Sequence, residues 1–158
     1  MKRLFAGLVA LAVFAAPAAA ADFLSSAFGN AGDSCFARRY DAAHLAKNPA
    51  QNVESIFIVS TGHSDPDTKA ILHIGLKLRG SDALYDGFAY CNASGEGAAC
   101  NMEGDGGSMT ITPRKNGIRI AVGNFFMLEG AAGFTPDLAT EGDDRVLLLY
   151  PAPAGACK

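Results

Sequence analysis

The chain has 158 residues, of which 49% are hydrophobic and 18% charged, with four cysteines, no tryptophan and a formal net charge of -3 at pH 7. A length of this order suits one domain with its own core and argues against a multidomain assembly. Mild acidity without clustered lysine and arginine argues against nucleic acid or an anionic membrane surface as a partner, because neutralising phosphate requires such cations.

The chain opens with Lys2 and Arg3, then an apolar run from Leu4 to Ala16, then Pro17 and the small residues Ala18 to Ala21. This order of charged region, apolar stretch and A-x-A site predicts a secretory signal peptide over residues 1–21. Thirteen apolar residues are too few to cross about 30 Å of hydrocarbon. Cleavage before Asp22 leaves 137 residues and, with the two leader cations gone, a net charge of -5. No second apolar segment of spanning length follows, and no cysteine stands at the cleavage site to carry a lipid. The expected protein is periplasmic or secreted, a single exported β domain over residues 22–158.

Residues 22–34 are small and polar and predict an extended lead-in. From Phe36 to Lys47, apolar residues Phe36, Tyr40 and Ala43 recur at helical spacing and Pro49 stops the run, so one short N-terminal helix is expected. The period then changes to two. Ala70, Leu72, Ile74, Leu76 and Leu78 alternate with Lys69, His73, Lys77 and Arg79, which predicts a half-buried strand. In MTITPRKNGIRIAV the dipeptide Asn116-Gly117 suits a type I′ hairpin turn. That turn sets Ile111 opposite Val122, Pro113 opposite Ile120, and Arg114 opposite Arg119. Further strands are expected over Val53–Thr61, Ala83–Asn92, Ala98–Met102, Phe125–Glu129 and Arg145–Tyr150, separated by turn-forming residues. About seven or eight short strands with one helix predict a mostly β fold, a small antiparallel β-barrel or sandwich.

An even number of cysteines in an exported chain reads as a disulfide framework. Cys91 and Cys100 enclose the glycine- and alanine-rich loop NASGEGAA, while Cys35 and Cys157 lie near the two mature ends. The spacing favours Cys91–Cys100 and Cys35–Cys157, both as structural staples, since C-x8-C lacks the spacing of redox or zinc sites.

No catalytic signature is present: the nucleophile-elbow, zinc-protease and phosphate-loop patterns are all missing. His44, His63 and His73 fall on separate predicted elements, and Asp41 and His44 form at most a local pair on a helix. No cofactor is implied, and the chain is expected not to be an enzyme. Asn101, Glu103, Asp105 and Gly106 imitate the first half of a calcium loop. Position twelve is Thr112 where a bidentate glutamate is needed, so the segment is read as an acidic β-turn and no metal is expected. Asn92-Ala93-Ser94 is formally a glycosylation sequon and is without meaning in a bacterial periplasm.

A second acidic run, Asp137, Glu141, Asp143 and Asp144, precedes the apolar strand ending at Tyr150. Charge there can guard an aggregation-prone strand. Exposed acidic loops on a rigid frame also complement a basic protein. Glu103, Asp105, Glu141, Asp143 and Asp144 are therefore the candidate partner-binding residues, and a basic exported protein such as a lysozyme is the candidate partner. In size, compartment, β content and disulfides the chain resembles the exported lysozyme inhibitors, a likeness of format in which none of their loop motifs takes part. The alternatives are a carrier of small apolar ligands, with Phe57, Phe88, Tyr90, Phe125 and Phe126 lining a barrel cavity, and an envelope-integrity protein without a discrete ligand.

Overall fold

The computed structural model describes residues 18–29 and 34–158. Of the expected leader, residues 1–17 lie outside the described residues, and Ala18–Ala21 belong to a helix, α1 (Ala18–Phe28). The rest of the chain runs β1 (Cys35–Arg39), α2 (Ala42–Lys47), β2 (Val53–Ser60), β3 (Ala70–Leu78), β4 (Tyr85–Ser94), β5 (Gly97–Met102), β6 (Gly107–Arg114) and β7 (Gly117–Phe126). It continues with a two-stranded ribbon of β8 (Glu129–Gly130) and β9 (Gly133–Phe134), then β10 (Val146–Ala152) and a short 3₁₀ turn.

Strands β1 to β7 pair antiparallel in chain order, β10 lies between β7 and β1, and the β3–β4 pairing closes the ring. The result is an eight-stranded up-and-down barrel, in which closure removes the exposed sheet edges. The ribbon is appended where β8 pairs with the start of β4. Period-two patterning fills the interior: Ile56, Ile58, Leu72, Ile74, Ile111 and Ile120 are all at most 1% exposed. An eight-stranded barrel is just wide enough for such side chains to meet at its axis. Leu24 and Phe28 of α1 join the core at one end, where the helix packs on β3, β4 and β5. Leu128, Leu138 and Ala139 do so from the segment after β7 at the other.

Both expected disulfides form. Cys91 and Cys100 are directly opposed on β4 and β5, inside the barrel. Cys35–Cys157 ties the start of β1 to the chain end on the outside, where it packs with Phe57.

Three expectations are corrected. The lead-in over residues 22–34 is helical as far as Phe28, because Leu24 and Phe28, four apart on one helix face, find the open barrel end. The helix expected from Phe36 to Lys47 is two elements. Cys35 and Ala37 face the outer disulfide cluster while Phe36 packs against Phe28, an alternation only a strand provides. The helix itself begins after Asp41, whose Oδ1 accepts the backbone N–H of His44 at 2.7 Å. The β6–β7 hairpin slips by two residues from the expected register: Ile111 faces Ile120, Pro113 faces Ile118 and Arg114 faces Gly117. Lys115-Asn116 is then the turn. No non-glycine residue has positive φ among the described residues, so Asn116 does not form a type I′ turn. Gly117 is required for another reason: a Cβ there would fall on the Leu149 carbonyl of the neighbouring strand.

Candidate functional site

In an up-and-down barrel, alternate connections emerge at the same end. The connections β1–β2, β3–β4, β5–β6 and β7–β10 share one mouth, which gathers every candidate acid found in the sequence. Residues 40–52, 79–84, 103–106 and 127–145 carry nine Asp or Glu against three Lys or Arg. The connections at the opposite end, with the segment after β10, carry three of each. Among the described connections, those of the mouth are therefore the negative ones.

A groove of about 480 Å³ opens on one flank of this mouth, between the β5–β6 turn and the β8–β9 ribbon. Glu103 and Asp105 stand on its rim, on a turn closed by the Gly106 N–H donating to the Glu103 carbonyl at 3.2 Å, with Gly104 at φ 59°. Asp86 of β4 and Glu129 of β8 bring two further carboxylates. No lysine, arginine or histidine lines the groove. Its apolar part is formed by Met127, Phe125, which is 41% exposed, and Phe134, 62% exposed. Of these carboxylates only Asp86 meets a partner side chain, His73 at 2.7 Å, and exposed aromatics beside carboxylates form a surface for cationic groups carried on apolar stems.

The second acidic run divides. Glu141 and Asp143 are exposed, on a loop held to the other flank by Asn52 Nδ2 donating to the Glu141 carbonyl at 3.1 Å and by Asp143 N–H donating to Ala50 at 3.0 Å. Asp144 is fully buried. Its Oδ2 accepts the N–H of Asn52 at 2.7 Å and its Oδ1 that of Val53 at 3.1 Å, while burial pushes its pKa above the ordinary carboxylate value. It is a structural tie and is removed from the candidate contact surface. Asp137 is a second tie: partial burial alone would raise its pKa, but N–H donation from Phe126 and Ala139 and the Thr140 hydroxyl together hold it below the usual value.

The histidines stay apart. His44 Nε2 lies 3.0 Å from Gln51 Oε1, His73 Nε2 lies 2.7 Å from Asp86 Oδ2, and His63 sits in the β2–β3 loop. Asp41 meets the backbone of His44, not its ring. No group of three or more His, Cys, Asp or Glu side chains is arranged to hold a metal ion among the described residues. Of the five candidate cavity linings, Phe126 belongs to the core, while Phe57, Phe88, Tyr90 and Phe125 stand on the outer side of the wall and enclose no common chamber.

Asp86, Glu129, Met127 and Phe134 escaped sequence reasoning. Asp86 lies on the outer face of β4 like any solvated residue, Met127 and Glu129 fall in the expected strand Phe125–Glu129, which in the structure breaks after Phe126, and Phe134 lies beyond it in a ribbon whose pairing with β4 only the fold creates.

Fold and site together define a closed, disulfide-stapled, eight-stranded antiparallel barrel with one acidic mouth. Comparison with protein-family models, with curated proteins and with solved structures finds no match. Among the described residues no helix is long and apolar enough to cross a membrane.

Proposed function

We propose that the protein is an exported, non-enzymatic binding module whose acidic mouth captures a basic protein, a lysozyme-like cell-wall hydrolase being the leading candidate. The observation that carries this reading is the groove where Glu103, Asp105, Asp86 and Glu129 surround exposed Phe125 and Phe134 without one cation among them. Charge concentrated at one pole steers a cationic partner, and aromatic residues at the centre supply the contact that outlasts the encounter. The disulfides and the leader-like first 21 residues support an exported protein. A packed barrel axis, with large aliphatic side chains at most 1% exposed, favours an outer-surface partner over an apolar ligand carried inside.

The test is lysis of cell walls by a panel of lysozymes, with and without the oxidised protein. Dose-dependent inhibition near stoichiometric ratio is expected, relieved when Glu103 and Asp105 are both replaced by lysine. No inhibition of any enzyme at large excess would remove the hydrolase reading.

A further inference from the structure

One row of residues crosses the flank of the mouth from strand to strand. Gly75 is paired with Asp86, Asp86 with Glu129, and Glu129 with Phe134. Directly opposed residues share a face with their Cβ atoms about 5 Å apart, so Asp86 and Glu129 present two carboxylates side by side and Phe134 stands next to them. Like charges in that relation destabilise a ladder. Neither ion pair among the described residues, Arg39–Glu54 and His73–Asp86, neutralises Glu129. His73 holds only the Oδ2 atom of Asp86. A local conflict of this kind is expected where function, not folding, sets the sequence.

We propose that this row is an arginine pocket. A guanidinium from the partner donates N–H groups to Glu129 and to Asp86 Oδ1 while its stem lies along Phe134. This deepens, and rests on, the reading of the mouth as a site for a cationic partner. Arginine is selected over lysine on three counts. Its planar fork matches two adjacent carboxylates, it stacks on an aromatic face, and it is more weakly hydrated than an ammonium and so enters an apolar groove at lower cost. Glu103 and Asp105 across the groove add long-range attraction without fixing the geometry.

The experiment is an NMR titration of the oxidised protein at low salt with three capped tripeptides, leucine flanking arginine, lysine or citrulline in the central position. The arginine probe is expected to bind about ten-fold more tightly than the lysine probe, the worth of one additional charge-assisted hydrogen bond, and the citrulline probe not at all. Glu129→Gln should weaken arginine binding by a similar factor and, by removing the like-charge conflict with Asp86, raise the melting temperature. Glu96→Gln, in the β4–β5 turn at the opposite end, should change neither. Phe134→Ala should narrow the preference for arginine over lysine. Equal affinity for the arginine and lysine probes, no binding of either, or a Glu129→Gln protein that binds like Glu96→Gln would each overturn the pocket. Arginine binding in a protein that inhibits no hydrolase would leave the pocket standing and dismiss only the hydrolase as partner.

Discussion

The tie made by Asp144 yields the most direct prediction about stability. Its carboxylate fastens the connection entering β10 to the residues that open β2, 91 and 92 positions away in sequence. Asp144→Ala leaves the N–H groups of Asn52 and Val53 without acceptors, and Val53 is 0% exposed. An unsatisfied buried N–H costs about 1–3 kcal/mol, so the expected loss is about 2–4 kcal/mol, a large part of a typical stability near 5–15 kcal/mol. Asp144→Asn keeps one acceptor oxygen and should lose about half as much. Urea unfolding reads this as a lower midpoint at unchanged slope. The sign of the pH dependence also follows. Burial raises the folded-state pKa above the unfolded value, so the folded protein holds the extra proton between those two values, and the contribution of Asp144 declines as pH rises through that window. The stability gap between the wild type and Asp144→Asn should narrow from about pH 4 toward neutrality. An alanine variant losing under about 1 kcal/mol, or a gap that widens with pH, would refute the assignment of Asp144 as a buried tie.

Removing Cys35–Cys157, which spans 122 residues, should cost about 5 kcal/mol, against about 2–3 kcal/mol for Cys91–Cys100, which spans nine, on the chain-entropy model; denaturation of paired Cys→Ser variants would show the order. Gly117→Ala drives a methyl onto the Leu149 carbonyl and should lose about 1–3 kcal/mol, whereas Asn116→Ala in the exposed turn should stay within about 0.5 kcal/mol; the reverse ranking in thermal melts would restore the type I′ turn. Reversing Glu103 and Asp105 to lysine should slow association with a cationic partner about ten-fold at low salt and little at high salt by stopped flow, while the same change at Glu141 and Asp143, on the other flank, should do less.

Periodicity carried most of the fold. The alternation of Ala70, Leu72, Ile74 and Leu76 specifies β3 because each inward side chain must meet the axis. In the β6–β7 hairpin the same reasoning places every side chain on its correct face, yet leaves the register two residues out. A slip of two preserves the period, so hydrophobic sorting cannot distinguish the two pairings. What distinguishes them is the approach of β10 to Gly117, a contact made by a strand 29 residues further on. Phe36 and Tyr40 misled for a related reason: a spacing of four fits a helix face and also two steps of a strand, and the break at Asp41 is a capping contact visible only in three dimensions. Asp143 and Asp144 are adjacent and chemically identical, and only the N–H groups of Asn52 and Val53 make one of them interior.

The distribution of charge bears on two purposes for the acidic loops. If acids served only to guard the aggregation-prone apolar strands, both ends of the barrel would need them equally, because each strand exposes an apolar run at both of its ends during folding. Residues 61–69, 95–96, 115–116 and 153–158 at the opposite end show no such excess, with acids and cations in equal number, while the connections of the mouth carry three acids for every cation. The acids thus gather at the mouth that also exposes Phe134 and Phe125. On the proposed function, that combination has its complement in a cation brought by another molecule.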